Sequence, residues 1–84
     1  MLYYLIVCRS LTFAQRTAAV LGWAGIPAAI RRTPAAIAER GCSYSVKLSQ
    51  KNLSKALVIL RKVELTPRQI YITEADGSYR EVSL

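Results

Sequence analysis

The strongest nucleophile this chain can offer near neutral pH is a cysteine thiolate, and its 84 residues hold two cysteines, Cys8 and Cys42. A helix N-terminus or a neighbouring Arg draws a thiol pKa from about 8.5 toward neutrality. Cys42 stands in Arg40-Gly41-Cys42-Ser43. Gly41 removes bulk beside the sulfur, and Arg40 supplies a cation. That setting suits a sulfur that attacks or is carried. The competing reading is that of a small buried hydrophobe, a common fate of free cysteine. For Cys8, at the end of an apolar run, that second reading leads, and its chemical role would be limited to a resolving thiol if it lay beside Cys42.

The rest of the composition removes whole classes of chemistry. With no His, neither a Ser-His-Asp triad nor a Cys-His pair can form. A tetrahedral zinc site lacks ligands, and no cofactor is expected. Two cysteines without disulfide-type spacing indicate a reducing, cytoplasmic setting. The apolar run Leu2 to Cys8 is too short to span a bilayer and has no basic residues before it, so it reads as a strand rather than a signal or membrane segment.

The net charge of +7 is uneven. Residues 1–73 carry eleven Lys/Arg against Glu39 and Glu64, a net +9, whereas the last eleven residues sum to −2. An anionic partner and a merely solvated basic surface are equally good explanations. Lys51, Lys55, Arg61 and Lys62 read as the solvated flank of a helix.

The length allows one domain, residues 1–84, with a core over 2–73 and a hairpin extension over 74–84; a chain this short buries only about 60% of its unfolded surface. Leu2 to Cys8 reads as a central strand covered on both faces. Ser10 caps a helix over about 11–23, with Ala14, Thr17, Ala18, Leu21 and Ala24 as its inner stripe and Gly25 as its stop. Ile26 to Arg32 reads as a second strand, at an edge because of Pro27. Residues 34–41 form an Ala-rich connection with one helical turn. From Ser43 to Leu48 the pattern alternates, with Cys42, Tyr44, Val46 and Leu48 on one face and Ser43, Ser45 and Lys47 on the other. Ser49 is expected to cap a second helix over about 50–63, with Leu53, Ala56, Leu57, Leu60 and Val63 facing the core. Val58 and Ile59 lie off that stripe, so one of them should extend a contact surface. A fourth strand covers 69–73, and Asp76-Gly77 turns the chain into a fifth, an extra C-terminal edge strand within 79–84.

The order β-α-β-β-α-β with right-handed crossovers implies an α+β, ferredoxin-like sandwich, with an antiparallel sheet of order 4-1-3-2 and both helices on one face. That topology places the end of the first strand, the start of the first helix and the beginning of the third strand at one edge. Cys8, Ser10 and Cys42 should then be neighbours although distant in sequence, with Arg9 and Arg40 within reach of Cys42.

The stretch from Tyr4 to Ile72 resembles the selenium/sulfur (Se/S) carrier protein-like family of small bacterial domains. The resemblance rests on Leu5-Ile-Val before Ser10, Ala24-Gly25-Ile26-Pro27, Thr33-Pro34, and Gly41-Cys42-Ser43-Tyr44-Ser45. The family's suspected functional cysteine corresponds to Cys42. The chain departs from the family pattern in having Pro34-Ala35 and Cys42-Ser43 where Pro-Arg and Cys-Gly are usual, so any anion-binding role of that Arg would fall to Arg32 or Arg40. The resemblance implies that Cys42 accepts sulfur or selenium from a donor protein, as a persulfide or selenosulfide, and passes it to an acceptor protein. Arg9, Ser10, Arg40, Gly41 and Ser43 would support it.

Other functions compete. Arg40-Gly41-Cys42-Ser43-Tyr44 weakly echoes an RNA-recognition motif. Turning Tyr44 to the open side of the sheet, however, would bury Ser45 and Lys47 beneath the helices at a cost of several kcal/mol, so nucleic-acid binding is disfavoured. A non-catalytic basic interaction or regulatory module is the main alternative. The first strand is apolar on both faces and the helices can cover only one, so a homodimer through the open sheet face is expected. Trp23 reads as a packing anchor.

Overall fold

A computed structural model describes residues 2–38, 43–67 and 69–82. Strand β1 spans Tyr3–Cys8, helix α1 Leu11–Trp23, β2 Ala29–Arg32, β3 Tyr44–Ser49, α2 Leu53–Lys62, β4 Gln69–Thr73 and β5 Tyr79–Val82. The strands form one antiparallel sheet in the order β2-β3-β1-β4-β5, which from the opposite edge is 5-4-1-3-2.

Side-chain alternation divides the sheet into two unlike faces. Tyr4, Ile6 and Cys8 stand in register with Leu48, Val46 and Tyr44 of β3, and Tyr4 and Ile6 with Ile72 and Ile70 of β4. Most of these pack with Ala14, Leu21, Ala56 and Leu60 of the helices into one core. Small residues on the inner stripe of α1 let the helix approach the strands closely. Tyr44 is thus on the core face, and Lys47 is on the other, as the cost of burying Lys47 requires.

Both helices stop by the same device. Ile26 N–H donates to Leu21 O at 2.9 Å and Leu65 N–H to Leu60 O at 2.8 Å, the six-residue closure that follows a left-handed residue. This closure makes Ile26 part of the helix ending and buries it, so β2 begins at Ala29 and not at Ile26. All four β2 residues are exposed, which suits an edge strand.

Three expectations fail for local reasons. Ser49 makes no capping bond: a 3-10 turn at Gln50–Asn52 intervenes, and Asn52 Nδ2 donates to Ser49 Oγ at 3.0 Å. Val63 lies just past the last turn of α2 and is 47% exposed rather than in the core. Trp23 is 86% exposed, because it stands two residues past Leu21 and so on the opposite side of the helix from the inner stripe; it anchors no packing. Val58 extends outward, while Ile59 packs against the core.

The open face is better covered than the strand sequences imply. Leu5, between Lys47 and Tyr71 in register, is 2% exposed within a single chain. The Lys47 ammonium sits 4.3 Å above the Tyr3 ring centroid, which draws this long side chain along the face beside Leu5. Leu5 thus needs no second copy to cover it. Ser45, also on this face, is fully buried and shares a 2.7 Å hydrogen bond with Thr33. Beyond Thr33 the chain makes a single helical turn, Ala38 N–H donating to Pro34 O. At the other edge the β4–β5 turn is held by Asp76 Oδ1, which accepts from Ser78 N–H and Oγ–H. Val82 of β5 adds to the core.

Candidate functional site

The edge where β1 ends and α1 begins gathers several of the residues singled out for chemistry. Ser10 is extended, with φ −145° and ψ 164°, and its Oγ accepts from Phe13 N–H at 3.2 Å. It is thereby the N-cap of a 13-residue helix with no acidic side chain in its first turn, so the helix dipole there is unneutralised. Arg9 and Ser10 are exposed. Cys8 is paired with Tyr44, and Ser43 precedes Tyr44, so the register brings Cys8, Arg9, Ser10 and Ser43 to one end of the sheet. Ser43 O accepts from Thr33 N–H at 3.0 Å, whereas Ser43 Oγ is buried without a hydrogen-bond partner among the described residues. Cys42, Arg40 and Gly41 lie outside the described residues.

Cys8 is a core residue. It is 2% exposed, packs within the core cluster and directs its thiol at Ile6 O, 3.6 Å away. Burial pushes its pKa up from 9.0 to about 11, the Thr17 hydroxyl weakly opposing that shift. At neutral pH the thiol is protonated and enclosed, unsuited to attack or to resolving a disulfide.

Thr17 is the residue whose part the sequence obscured. It sits fully buried in the α1 stripe, and its Oγ1 has no hydrogen-bond partner of its own. Its only signal was a hydroxyl among apolar positions at helical spacing. Among the described residues no three His, Cys, Asp or Glu side chains converge as metal ligands, and no helix is long and apolar enough to cross a membrane.

No curated protein matches this chain, and no solved structure does. A family model does match, that of the family described as "Putative Se/S carrier protein-like", over residues 3–72. The match runs from the first residue of β1 through all but the last residue of β4 and leaves out β5. Spanning most of the chain, it shows that this protein belongs to the Se/S carrier-like family.

Proposed function

We propose that the protein carries sulfur or selenium on Cys42. One observation carries the reading: in a member of this family with two cysteines, one of them, Cys8, is an enclosed core thiol with a pKa of about 11, so sulfur chemistry falls to the other. The surroundings of its sequence neighbour support it. Ser43 immediately precedes β3 at the end of the sheet where α1 starts, and its buried hydroxyl has no partner among the described residues. The free dipole of α1 and the exposed Arg9 favour an anion at that edge.

The step is a sulfane transfer. The Cys42 thiolate attacks the terminal sulfur of a donor persulfide, R–S–SH. The donor S–S bond breaks, R–S⁻ leaves, and Cys42–S–SH forms; a selenium donor would give Cys42–S–SeH. An acceptor nucleophile then takes the outer atom and returns the thiolate. A ferredoxin-like sandwich, with strands 4-1-3-2 and β5 added beside β4, is the fold class we assign. A cytoplasmic setting, where thiols stay reduced, is part of the same reading. Donor and acceptor proteins are the partners, and self-association through the remaining exposed parts of the open face is checked by gel filtration.

Intact mass after incubation with a persulfide donor tests the proposal. A gain of one sulfur, kept in Cys8→Ala and lost in Cys42→Ser, is the expected result. No adduct in the wild-type chain sinks it. The exposed Trp23 would then favour an interaction module, since solvent-exposed indoles are common anchors of interfaces.

A further inference from the structure

At the opposite end of the sheet from Ser10 and Ser43, where β1 and β2 begin and β3 ends, lies a depression of about 450 Å³. Its volume is in the range of small-molecule sites, roughly 300–1,000 Å³. Pro27 and Ala29, both exposed, contribute apolar lining, and Tyr3, Arg31, Lys47 and Ser49 contribute polar groups.

Those polar groups are donors. Arg31 and Lys47 stand diagonally on neighbouring strands, Arg31 opposite Ser45 and Lys47 opposite Ala29. Neither forms an ion pair among the described residues, where the one salt bridge joins Arg80 to Glu74. The acidic residue in the same sheet row as Lys47 is Glu81 of β5, three strands away. That is about 14 Å at the usual strand spacing, beyond the Debye length of about 8 Å at physiological salt. Among the described residues, two adjacent like charges are thus left without an ion-pair partner. The Tyr3 ring holds the Lys47 ammonium in place, so less side-chain entropy remains to be lost on binding. Ser49 Oγ accepts from Asn52, which leaves its hydroxyl hydrogen available to donate.

Two cations and a hydroxyl beside an apolar wall complement a dianion attached to an apolar body. A lone carboxylate would neutralise only one of the charges. We propose that this depression binds a phosphate monoester of mononucleotide size, its phosphate held by Arg31, Lys47 and Ser49 and its base against Pro27 and Ala29. The site does not rest on the carrier reading. It is separated from the Cys8 end by the length of β1, about 17 Å, and contains no cysteine.

Amide NMR titration of the full chain with adenosine 5′-monophosphate, adenosine and inorganic phosphate tests it. Saturable shifts with the nucleotide at Ala28, Ala29, Lys47 and Ser49 are expected, with adenosine and inorganic phosphate each at least about tenfold weaker. Arg31→Gln, at an exposed position, should weaken nucleotide binding about tenfold, and Arg31→Gln with Lys47→Gln should abolish it. No saturable shift up to about 10 mM nucleotide overturns the proposal. So do shifts mapping elsewhere, inorganic phosphate binding as tightly as the nucleotide, or an Arg31→Gln chain that binds like wild type. Loss of sulfur loading in Cys42→Ser leaves all these readouts untouched.

Discussion

Glu64 occupies, at the end of α2, the left-handed position that Gly25 occupies at the end of α1. Their φ angles are 60° and 79°, and each precedes a buried apolar residue, Leu65 or Ile26, that closes the helix. A glycine adopts this region freely, whereas a side chain there costs roughly 1–2 kcal/mol. Glu64→Gly should therefore stabilise the fold by about 0.5–1 kcal/mol, after the larger chain entropy of the unfolded glycine is subtracted. Gly25→Ala should cost about 1–2 kcal/mol. No atom would meet the added Cβ, so this cost is backbone strain alone. Urea denaturation of both variants measures the pair; a destabilised Glu64→Gly would show that its side chain has an offsetting role.

The enclosed thiol of Cys8 makes stability fall at high pH. Below pH 9 it is protonated in both folded and unfolded chains. Between 9.0 and about 11 the unfolded chain releases this proton while the folded one keeps it. Stability is then lost progressively, by roughly 2–3 kcal/mol in all. Tyr79, held above its ordinary value chiefly by burial and next by Tyr3, adds to the loss at alkaline pH. The comparison with Cys8→Ala isolates the thiol: the variant should be less stable at neutral pH but show a shallower alkaline limb. Equal slopes would mean that Cys8 reaches solvent in the folded chain. Thr17→Val removes the hydroxyl that weakly favours the thiolate, and should move the Cys8 pKa further up.

The two helices, the β1 core face and the fifth strand were legible because period and turn chemistry agreed there. Tyr44 was placed on the core face by the cost of burying Lys47, an argument about charge rather than propensity. The misread positions are those where an alternative local hydrogen bond competes. Ile26 reads as a strand start because it follows the Gly25 stop and precedes Pro27, yet its N–H closes α1. Ser49 looks like a cap, yet its hydroxyl accepts from Asn52 ahead of a 3-10 turn. The cover over Leu5 was invisible for another reason. Lys47 counts as polar in a binary pattern, although its long stem lies on an apolar face. Of the candidate site, topology brings Cys8 and Ser10 to the end of the sheet where β3 begins, while Cys42, expected beside them, lies outside the described residues; the depression beside Arg31 depends on how several strand ends meet and leaves no pattern in the chain.

The indole of Trp23 should be free of the core. Trp23→Ala is expected to change unfolding free energy by less than about 0.5 kcal/mol, where a buried anchor would cost roughly 3–5 kcal/mol. Its fluorescence in the native protein should resemble that of free indole and be quenched by acrylamide without unfolding. A large stability loss, or protection from the quencher, would place the ring against a surface, and concentration dependence of that protection would identify the surface as a second copy of the chain.

The Thr33–Ser45 hydroxyl pair is a fastening whose two halves should be unequal to their sum. Both residues are buried and 2.7 Å separates their oxygens, while Thr33 N–H is bonded to Ser43 O. Ser45→Ala leaves the Thr33 hydroxyl enclosed without a partner, a penalty of about 1–3 kcal/mol. Thr33→Val does the converse to Ser45. With both changed, no orphaned hydroxyl remains, so the double variant should be less destabilised than the singles added together, by about 1 kcal/mol or more. Strict additivity would mean that water already serves both oxygens. The pair ties β2 to β3 at the end from which the chain runs toward Cys42. Either single substitution should therefore also change the rate at which Cys42 is alkylated, under conditions where the protein remains folded and Cys8, enclosed, does not react.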